Sequence, residues 1–219
     1  YVEIENSPEI QIQPEFSIST KIYTINDDIK RILEKGSGGY GWGYGLIIEY
    51  PNIVKFYITA SNGQGEYFSV QSSTLETNTW YNVTGVFKDD NYARLFINGE
   101  LVDEVTNFNL NHQYQANQEN LKIGMPRTDW GEQNYPYDGY IDNISFWEKA
   151  LTIEEIQNYL AIPETGDEEG LAGYWSFNSG TGDTLYDHSG NGNNGTINGA
   201  KWLTNGTKHV AEDGSDETG

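Results

Sequence analysis

Short stretches in which apolar and polar residues alternate recur along most of the chain. The longest covers residues 16–25 (FSISTKIYTI), and its alternation predicts a strand with one buried face. Turn signals such as Pro51-Asn52 and Asn98-Gly99 separate the stretches at intervals of about 8–12 residues, which is typical of antiparallel sandwiches. Further strands are predicted at residues 2–5, 31–35, 46–50, 53–59, 65–71, 80–88, 92–97, 100–105, 121–124, 139–147, 171–178 and 200–203. We therefore expect an all-β fold.

One segment departs from this pattern and predicts a short helix. Thr152 and Glu155 have the spacing of a capping box, in which the hydroxyl caps the first turn and the carboxylate reaches back. Four apolar residues that follow share one helical face: Ile153, Ile156, Tyr159 and Leu160. We expect this helix to pack at the edge of the sandwich, in a structural role.

The chain is expected to divide at an acidic stretch with Pro and Gly, residues 162–170 (IPETGDEEG). This linker separates the main part of the domain, residues 1–161, from a C-terminal segment, residues 171–204. Residues 205–219 contain four acids and little that could be buried, so they are interpreted as a solvated acidic tail.

Composition narrows the classes of partner. The 219 residues include 33 Asp and Glu against 12 Lys and Arg, a net charge of -21, which repels phosphate backbones and predicts no nucleic-acid partner. No apolar run reaches the roughly 20 residues that span a bilayer, so no membrane insertion is expected. Without cysteine, disulfides and thiolate metal sites are impossible. Because the sequence begins at Tyr1 without a signal peptide, we expect a mature or excised piece of a larger protein.

Several segments together carry a family resemblance. They are residues 173–202 (GYWSFNSGTGDTLYDHSGNGNNGTINGAKW), residues 1–10 (YVEIENSPEI), residues 80–83 (WYNV), residues 95–100 (LFINGE), and residues 139–142 (GYID) followed by Trp147 and Ala150-Leu151. As a set they resemble the laminin-G-like, concanavalin A-like jelly-roll family in its bacterial form. The resemblance extends to about residue 204. It implies a two-sheet antiparallel jelly-roll sandwich.

The order of these segments departs from the family. The segment that normally opens the domain stands here at the C-terminus, in residues 171–204. Either it opens a second, truncated domain of a tandem array, or it completes the sandwich of residues 1–161. A lone β segment of this length would leave bare edges and little core. We therefore expect one closed sandwich rather than a segment swapped between chains.

A calcium site is one candidate. Residues 187–195 (DHSGNGNNG) combine short oxygen-bearing side chains with glycines, which suits either a calcium loop or a turn satisfied by its own side chains. The resemblance implies a structural calcium near the rim of the jelly roll, where Asp142 would meet this loop. The predicted ligands are Asp187, Asp142 and Asn191, with Asp183 in reserve.

A carbohydrate site is the second candidate, because sugar rings stack on flat aromatic side chains while their hydroxyls bond to amides, carboxylates and arginine. Two predicted loops offer this mixture. Residues 125–138 contain Arg127, Asp129, Trp130, Asn134, Tyr135 and Tyr137, and residues 36–45 contain Tyr40, Trp42 and Tyr44 between glycines. An aromatic residue in a glycine-rich loop has no strand to bury it, so Trp130 and Trp42 are predicted to contact a ligand. The other predicted ligand contacts are Arg127, Asp129, Asn134, Tyr135 and Tyr40. Anchoring of the loop, a contact with a partner, or burial under a long loop are the alternatives. The other tryptophans are assigned to the core: Trp80, Trp147, Trp175 and Trp202.

Catalysis is not predicted. Many concanavalin A-like sandwiches are glycanases with acids at E-x-D-x-x-E spacing on one strand, and this chain lacks that pattern. Glu3 and Glu5 alternate on a strand, but the next residue on their face is Ser7. No catalytic residue is named.

We therefore expect a non-catalytic carbohydrate-binding, lectin-like module of a larger extracellular or cell-surface protein, with structural calcium. Its partner would be a polysaccharide or glycan, and its state a monomer or one unit of a tandem array. A protein-protein adhesion domain that binds a cell-surface protein, or a structural spacer, is the alternative. A glycanase or polysaccharide lyase is a third.

Overall fold

The computed structural model describes residues 1–36, 43–60, 66–89, 91–106, 117–125 and 136–202, with the backbone alone at residues 60, 66 and 67. Its strands are β1 (Val2–Ile4), β2 (Glu15–Thr24), β3 (Lys30–Lys35), β4 (Gly43–Glu49), β5 (Ile53–Ala60), β6 (Glu66–Thr74), β7 (Trp80–Lys88), β8 (Tyr92–Ile97), β9 (Glu100–Thr106), β10 (Leu121–Ile123), β11 (Gly139–Trp147), β12 (Leu171–Trp175), β13 (Thr184–Leu185) and β14 (Gly195–Ile197). The helices are a 3-10 turn, Pro8–Ile10, and α1, Ile153–Ala161.

The strands form two antiparallel sheets. The eight-stranded sheet has the order β13-β14-β1-β10-β3-β4-β5-β6, and the six-stranded sheet has the order β12-β11-β2-β7-β8-β9. The two inner faces meet over a core that contains one central aromatic cluster. Phe16 lies 5.2 Å from Tyr44, 5.3 Å from Phe87 and 5.6 Å from Phe146, measured between ring centroids. The predicted all-β jelly-roll sandwich is confirmed.

The C-terminal segment contributes strands to both sheets. β12 pairs with β11, with Tyr174 opposite Ser145, at one edge of the six-stranded sheet. β14 pairs with β1, with Gly195 opposite Ile4, near one edge of the eight-stranded sheet. Without these pairings β11 and β1 would each expose an unpaired edge beside the core. The boundaries of the domains stay a prediction.

Helix α1 begins as the sequence predicts. The Thr152 hydroxyl accepts a hydrogen bond from the Glu155 amide, and the Glu155 carboxylate accepts one from the Thr152 amide. The helix buries Ile156 and packs on the outer face of the six-stranded sheet, in a second apolar cluster with Trp147. Ile153 is 42% exposed, so the buried stripe is narrower than the sequence suggests. No helix in the described ranges is long and apolar enough to cross a membrane.

The sandwich has two ends, which we name after residues of the eight-stranded sheet. β3 runs from Lys30, opposite Ile48 of β4, to Lys35, opposite Tyr44. The Gly36 end is the one where β3 ends and β4 begins. The Tyr50 end is the one where β4 ends and β3 begins. The turns that leave each end determine which distant segments can share a site.

Candidate functional site

The two predicted carbohydrate-binding segments leave the sandwich at opposite ends. The predicted ligand residues of both segments lie outside the described residues: Tyr40, Trp42, Arg127, Asp129, Trp130, Asn134 and Tyr135. Their attachment points are described. Residues 37–42 follow β3 at the Gly36 end, whereas residues 126–135 follow β10, which is antiparallel to β3 and leads to the Tyr50 end. At about 3.3 Å per residue along β3, these points lie about 17 Å apart, so the two segments are separate candidates.

The Tyr50 end contains a cleft of about 420 Å³. It is lined by Asn26, Asp28, Ile29, Lys30, Tyr50, Pro136 and Asp138. Tyr50 is 68% exposed, so one flat aromatic ring faces solvent beside amide, carboxylate and ammonium groups. Pro136 directly follows residues 126–135, which brings the attachment of that segment to the wall of the cleft.

Hydrogen bonds order the polar side of the cleft. The Asn26 amide donates to Asp138 Oδ2 at 3.0 Å, and its carbonyl oxygen accepts from the Asp28 backbone at 3.3 Å. Lys30 Nζ donates to the Asn26 backbone carbonyl. Burial lowers the pKa of Lys30, and the carboxylates of Asp138, Asp28 and Asp27 oppose that effect. Because Lys30 is 1% exposed, its cation lies behind the acceptors of the cleft, and those acceptors suit a ligand with several hydroxyl groups.

The turn that presents Tyr50 is anchored by Asn52. Asn52 is 1% exposed and adopts a left-handed conformation, with φ of 63°. Its amide nitrogen donates to the Leu75 carbonyl at 2.8 Å, and its side-chain oxygen accepts from the Thr24 hydroxyl at 3.2 Å. Asparagine tolerates this backbone region better than most residues. The Pro51-Asn52 pair therefore acts as the predicted turn and also fixes the position of Tyr50.

An aromatic cluster covers the outer face of the six-stranded sheet at the same end. The Tyr23 ring lies 5.5 Å from Trp80 and 5.1 Å from Tyr140, and Lys21 Nζ lies 5.1 Å from the centre of the Trp80 ring. All three rings are half-buried. The assignment of Trp80 to the core is therefore wrong, because it occupies an outward position of β7. Alternation along a strand identifies two faces but does not say which one is covered.

Some of the other predictions for aromatic residues are confirmed and others are not. Trp147 and Trp175 are fully buried, as predicted, and Trp202 is partly buried against the core. Two tyrosines from the proposed ligand segments are also buried. Tyr44 donates to the Ile10 carbonyl at 2.7 Å, and Tyr137 donates to the Tyr23 carbonyl at 3.1 Å. Both are core residues. Tyr44 belongs to β4, which begins at Gly43, whereas Tyr137 is buried without belonging to a strand.

The predicted calcium loop is closed by its own hydrogen bonds. Asp187 Oδ1 accepts from the Tyr174 and Ser189 amides at 3.0 and 2.9 Å, and Oδ2 accepts from the Asn193 amide at 2.9 Å. The Asn191 amide nitrogen donates to the Ala172 carbonyl at 3.0 Å. Both predicted ligands in the loop thus act in turn formation, the alternative that the sequence left open.

Asp142, the third predicted ligand, lies on β11 opposite Lys21, whereas the Asp187 loop is fixed to β12 at Tyr174, opposite Ser145. In the described part of the chain, no group of three or more His, Cys, Asp or Glu residues could hold a metal ion. The calcium site stays a prediction.

One carboxylate is buried on the outer side of β3. Glu34 is 4% exposed, accepts a hydrogen bond from the Tyr57 hydroxyl, and lies 3.7 Å from the Arg31 guanidinium. Glycoside hydrolysis of the usual kind needs two carboxylates on either side of the scissile bond. Glu34 is instead paired with Arg31, with the Tyr57 hydroxyl beside it.

The family follows from the first 157 residues of the sequence. A model described as the concanavalin A-like lectin/glucanases superfamily matches residues 1–157. The chain belongs to the concanavalin A-like superfamily. No curated protein matches the chain.

Several solved structures share the fold at low identity. A candidate carbohydrate-binding protein from Bacteroides ovatus is 20% identical with a TM-score of 0.66, over 89% of this chain and 55% of its own. The ligand-binding domain of botulinum neurotoxin serotype D, solved with N-acetylneuraminic acid, is 19% identical with a TM-score of 0.54, over 72% of this chain and 38% of its own. A SAP-like pentraxin from Limulus polyphemus is 16% identical with a TM-score of 0.50, over 72% of this chain and 81% of its own. This chain thus spans about half the length of the Bacteroides ovatus protein.

Proposed function

We propose that this chain is a non-catalytic carbohydrate-binding module of a larger extracellular protein, and that it binds its glycan at the Tyr50 end. The observation that carries the proposal is the exposed Tyr50 ring beside the polar cleft of Asn26, Asp28, Lys30 and Asp138. The superfamily, and neighbours named for carbohydrate binding or solved with a sugar acid, support it.

In the proposed mechanism, two kinds of contact bind the glycan. A sugar ring would stack its C–H face on Tyr50, an amphipathic side chain that loses little entropy on binding. Its hydroxyls would donate to the carboxylates of Asp28 and Asp138, whose charge the ammonium of Lys30, 1% exposed, balances from behind. Residues 126–135 would supply the rest of the site, with Trp130 as a second stacking ring. The polar contacts there would come from Arg127, Asp129, Asn134 and Tyr135.

Tyr40 and Trp42 belong to a different end of the sandwich in this proposal. A single short glycan could not contact both segments if they remain near attachment points about 17 Å apart. Trp42→Ala is therefore expected to leave binding at the Tyr50 end unchanged, and Trp130→Ala to weaken it.

The test is a glycan array followed by titration of a bound glycan. We expect Tyr50→Ala to weaken binding by about tenfold or more. Tyr186→Ala is the matched control, because Tyr186 is also exposed, at 52%, and lies outside the cleft. Equal affinities of Tyr50→Ala and the unsubstituted chain would refute the site. Absence of binding across the array would favour the adhesion or spacer alternative, and depolymerisation of a polysaccharide would favour the enzyme alternative.

A further inference from the structure

A second cleft lies on the outer face of the six-stranded sheet, between the strands and the end of helix α1. We name it the helix-side cleft. Its volume is about 200 Å³. The floor residues relevant here are Ser19, Lys21, Asn82, Thr84 and Asn143, and the wall includes Tyr159, Leu160 and Glu164. It shares no lining residue with the cleft at the Tyr50 end.

A β-bulge forms part of the floor. Asp142 pairs with Lys21 and Ser145 with Ser19, so two residues of β11 lie opposite the single residue Thr20. Asn143 is the extra residue, and its φ of 48° is in the left-handed region. In a regular strand the residue after outward-facing Asp142 would point to the core. The bulge instead brings Asn143 to the outer face, which is how bulges re-aim side chains beside functional sites.

The floor offers hydrogen-bonding groups that the protein does not use. Among the described residues, the side-chain amides of Asn82 and Asn143 make no hydrogen bond, although both line the cleft. The hydroxyls of Ser19 and Thr84 lie 3.0 Å apart, and either can donate to the other. One further donor and several acceptor positions thus remain for a ligand. Two free planar amides beside paired hydroxyls supply donors and acceptors together.

The helix-side cleft is lined by one cationic side chain and one carboxylate. Lys21 extends over the Trp80 ring at one side, and Glu164 forms part of the wall on the helix side. Burial raises the pKa of Glu164, and a hydrogen bond from the Ser145 side chain opposes that effect. One cation and one carboxylate give no preference for a strongly charged ligand. Leu160 and Tyr159 add an apolar wall against which a ring can lie.

From this arrangement we infer that the helix-side cleft binds a single neutral polyhydroxylated ring, such as one unit of a sugar, independently of the Tyr50 end. Its volume is below the roughly 300–1,000 Å³ of sites for larger ligands, so one ring is the appropriate size. The amides of Asn82 and Asn143 and the hydroxyls of Ser19 and Thr84 are the groups that recognise the ring hydroxyls.

The test uses the whole chain labelled with ¹⁵N and four probes: D-glucose, D-galactose, D-mannose and N-acetyl-D-glucosamine. The side-chain NH₂ signals of Asn82 and Asn143 are expected to shift with at least one probe. Asn143→Gly removes the amide while keeping a residue suited to the left-handed backbone, and we expect it to weaken binding by about tenfold. Asn78→Gly is the matched control, since Asn78 is exposed and also left-handed, with φ of 58°.

Each outcome decides between the two sites. Shifts at both amides of the unsubstituted chain, with the Asn82 shift weakened in Asn143→Gly and both shifts retained in Asn78→Gly, support the inference. Shifts confined to the Asn26 amide, which faces the other cleft, would overturn it and leave the Tyr50-end proposal standing. Shifts at Asn82 that are equal in Asn143→Gly and the unsubstituted chain would also overturn it, as would no shift with any of the four sugars. Failure on the glycan array alone concerns only the Tyr50 end.

Discussion

Replacing Asp187 by Asn tests whether the loop at residues 187–195 is a self-sufficient turn. The carboxylate accepts three backbone amides: Tyr174 and Ser189 on one oxygen and Asn193 on the other. An asparagine keeps one acceptor oxygen and turns an NH₂ group toward at least one amide. Hydrogen bonds to a charged group contribute about 1.5–3 kcal/mol each. Because at least one such bond is lost, we expect the free energy of unfolding to fall by about 2 kcal/mol.

The assay is urea unfolding of Asp187→Asn and the unsubstituted chain, each measured in excess calcium and again in EDTA. Asp27→Asn is the matched control, because it removes the same charge from an exposed residue outside the loop. If the loop is only a turn, the loss in Asp187→Asn is the same in both buffers, and Asp27→Asn is close to the unsubstituted chain.

Two results would refute this reasoning. Unchanged stability of Asp187→Asn in EDTA would mean that the three amide contacts contribute nothing measurable. A loss that appears in calcium alone would mean that the carboxylate binds the ion, as the resemblance to laminin-G-like domains implies. When the free ion is present at a concentration 100 times its dissociation constant, binding adds about 2.7 kcal/mol to the free energy of unfolding. Calcium itself would then stabilise the unsubstituted chain by an amount that urea unfolding resolves.

Three further substitutions probe buried groups. Burial raises the pKa of Glu164 in the folded state, so its ionisation costs stability as the pH rises. Glu164→Gln should therefore raise the melting temperature at pH 7, with the advantage vanishing below the ordinary glutamate value of 4.5. Burial lowers the pKa of Lys35 to about 8, so stability should rise between pH 8 and the ordinary value of 10.5, and Lys35→Met should abolish that rise. A Cβ at Gly85 would lie 2.5 Å from the Phe56 ring, so Gly85→Ala should lower the free energy of unfolding by about 1–3 kcal/mol; an unchanged midpoint in urea would contradict this.

The sequence predicts regular elements well where alternation and turn chemistry agree. The strands at residues 80–88, 92–97 and 139–147 have the predicted limits, and the helix begins at its capping box. The short strands β13 and β14 were not predicted. They lie in a Gly- and Asn-rich stretch with little side-chain pattern, and they exist because β1 supplies a partner for β14. Strands that depend on pairing rather than on their own composition leave little local signal.

Candidate sites are harder to predict than strands, because they depend on which other elements cover each face of a sheet. Trp80 has the same strand context as the buried Trp147, yet one is half-exposed and the other lies beneath α1. The bulge that presents Asn143 also has no signature in single-residue propensity, since it follows from the pairing of β11 with β2. A polar residue in a strand is therefore informative only once the register is known.

Which loops lie at the same end of the sandwich is the feature that is hardest to predict from the order of residues in the sequence. In an antiparallel sheet, each turn leaves the end opposite to that of the turn before it. Two segments with the same mixture of aromatic and polar residues, such as residues 37–42 and 126–135, can thus be attached at opposite ends. The Tyr50-end cleft instead gathers Asn26, Tyr50 and Asp138, which are far apart in the chain. Because binding needs side chains that converge on one ligand, the strongest candidate site combines residues that no local motif joins.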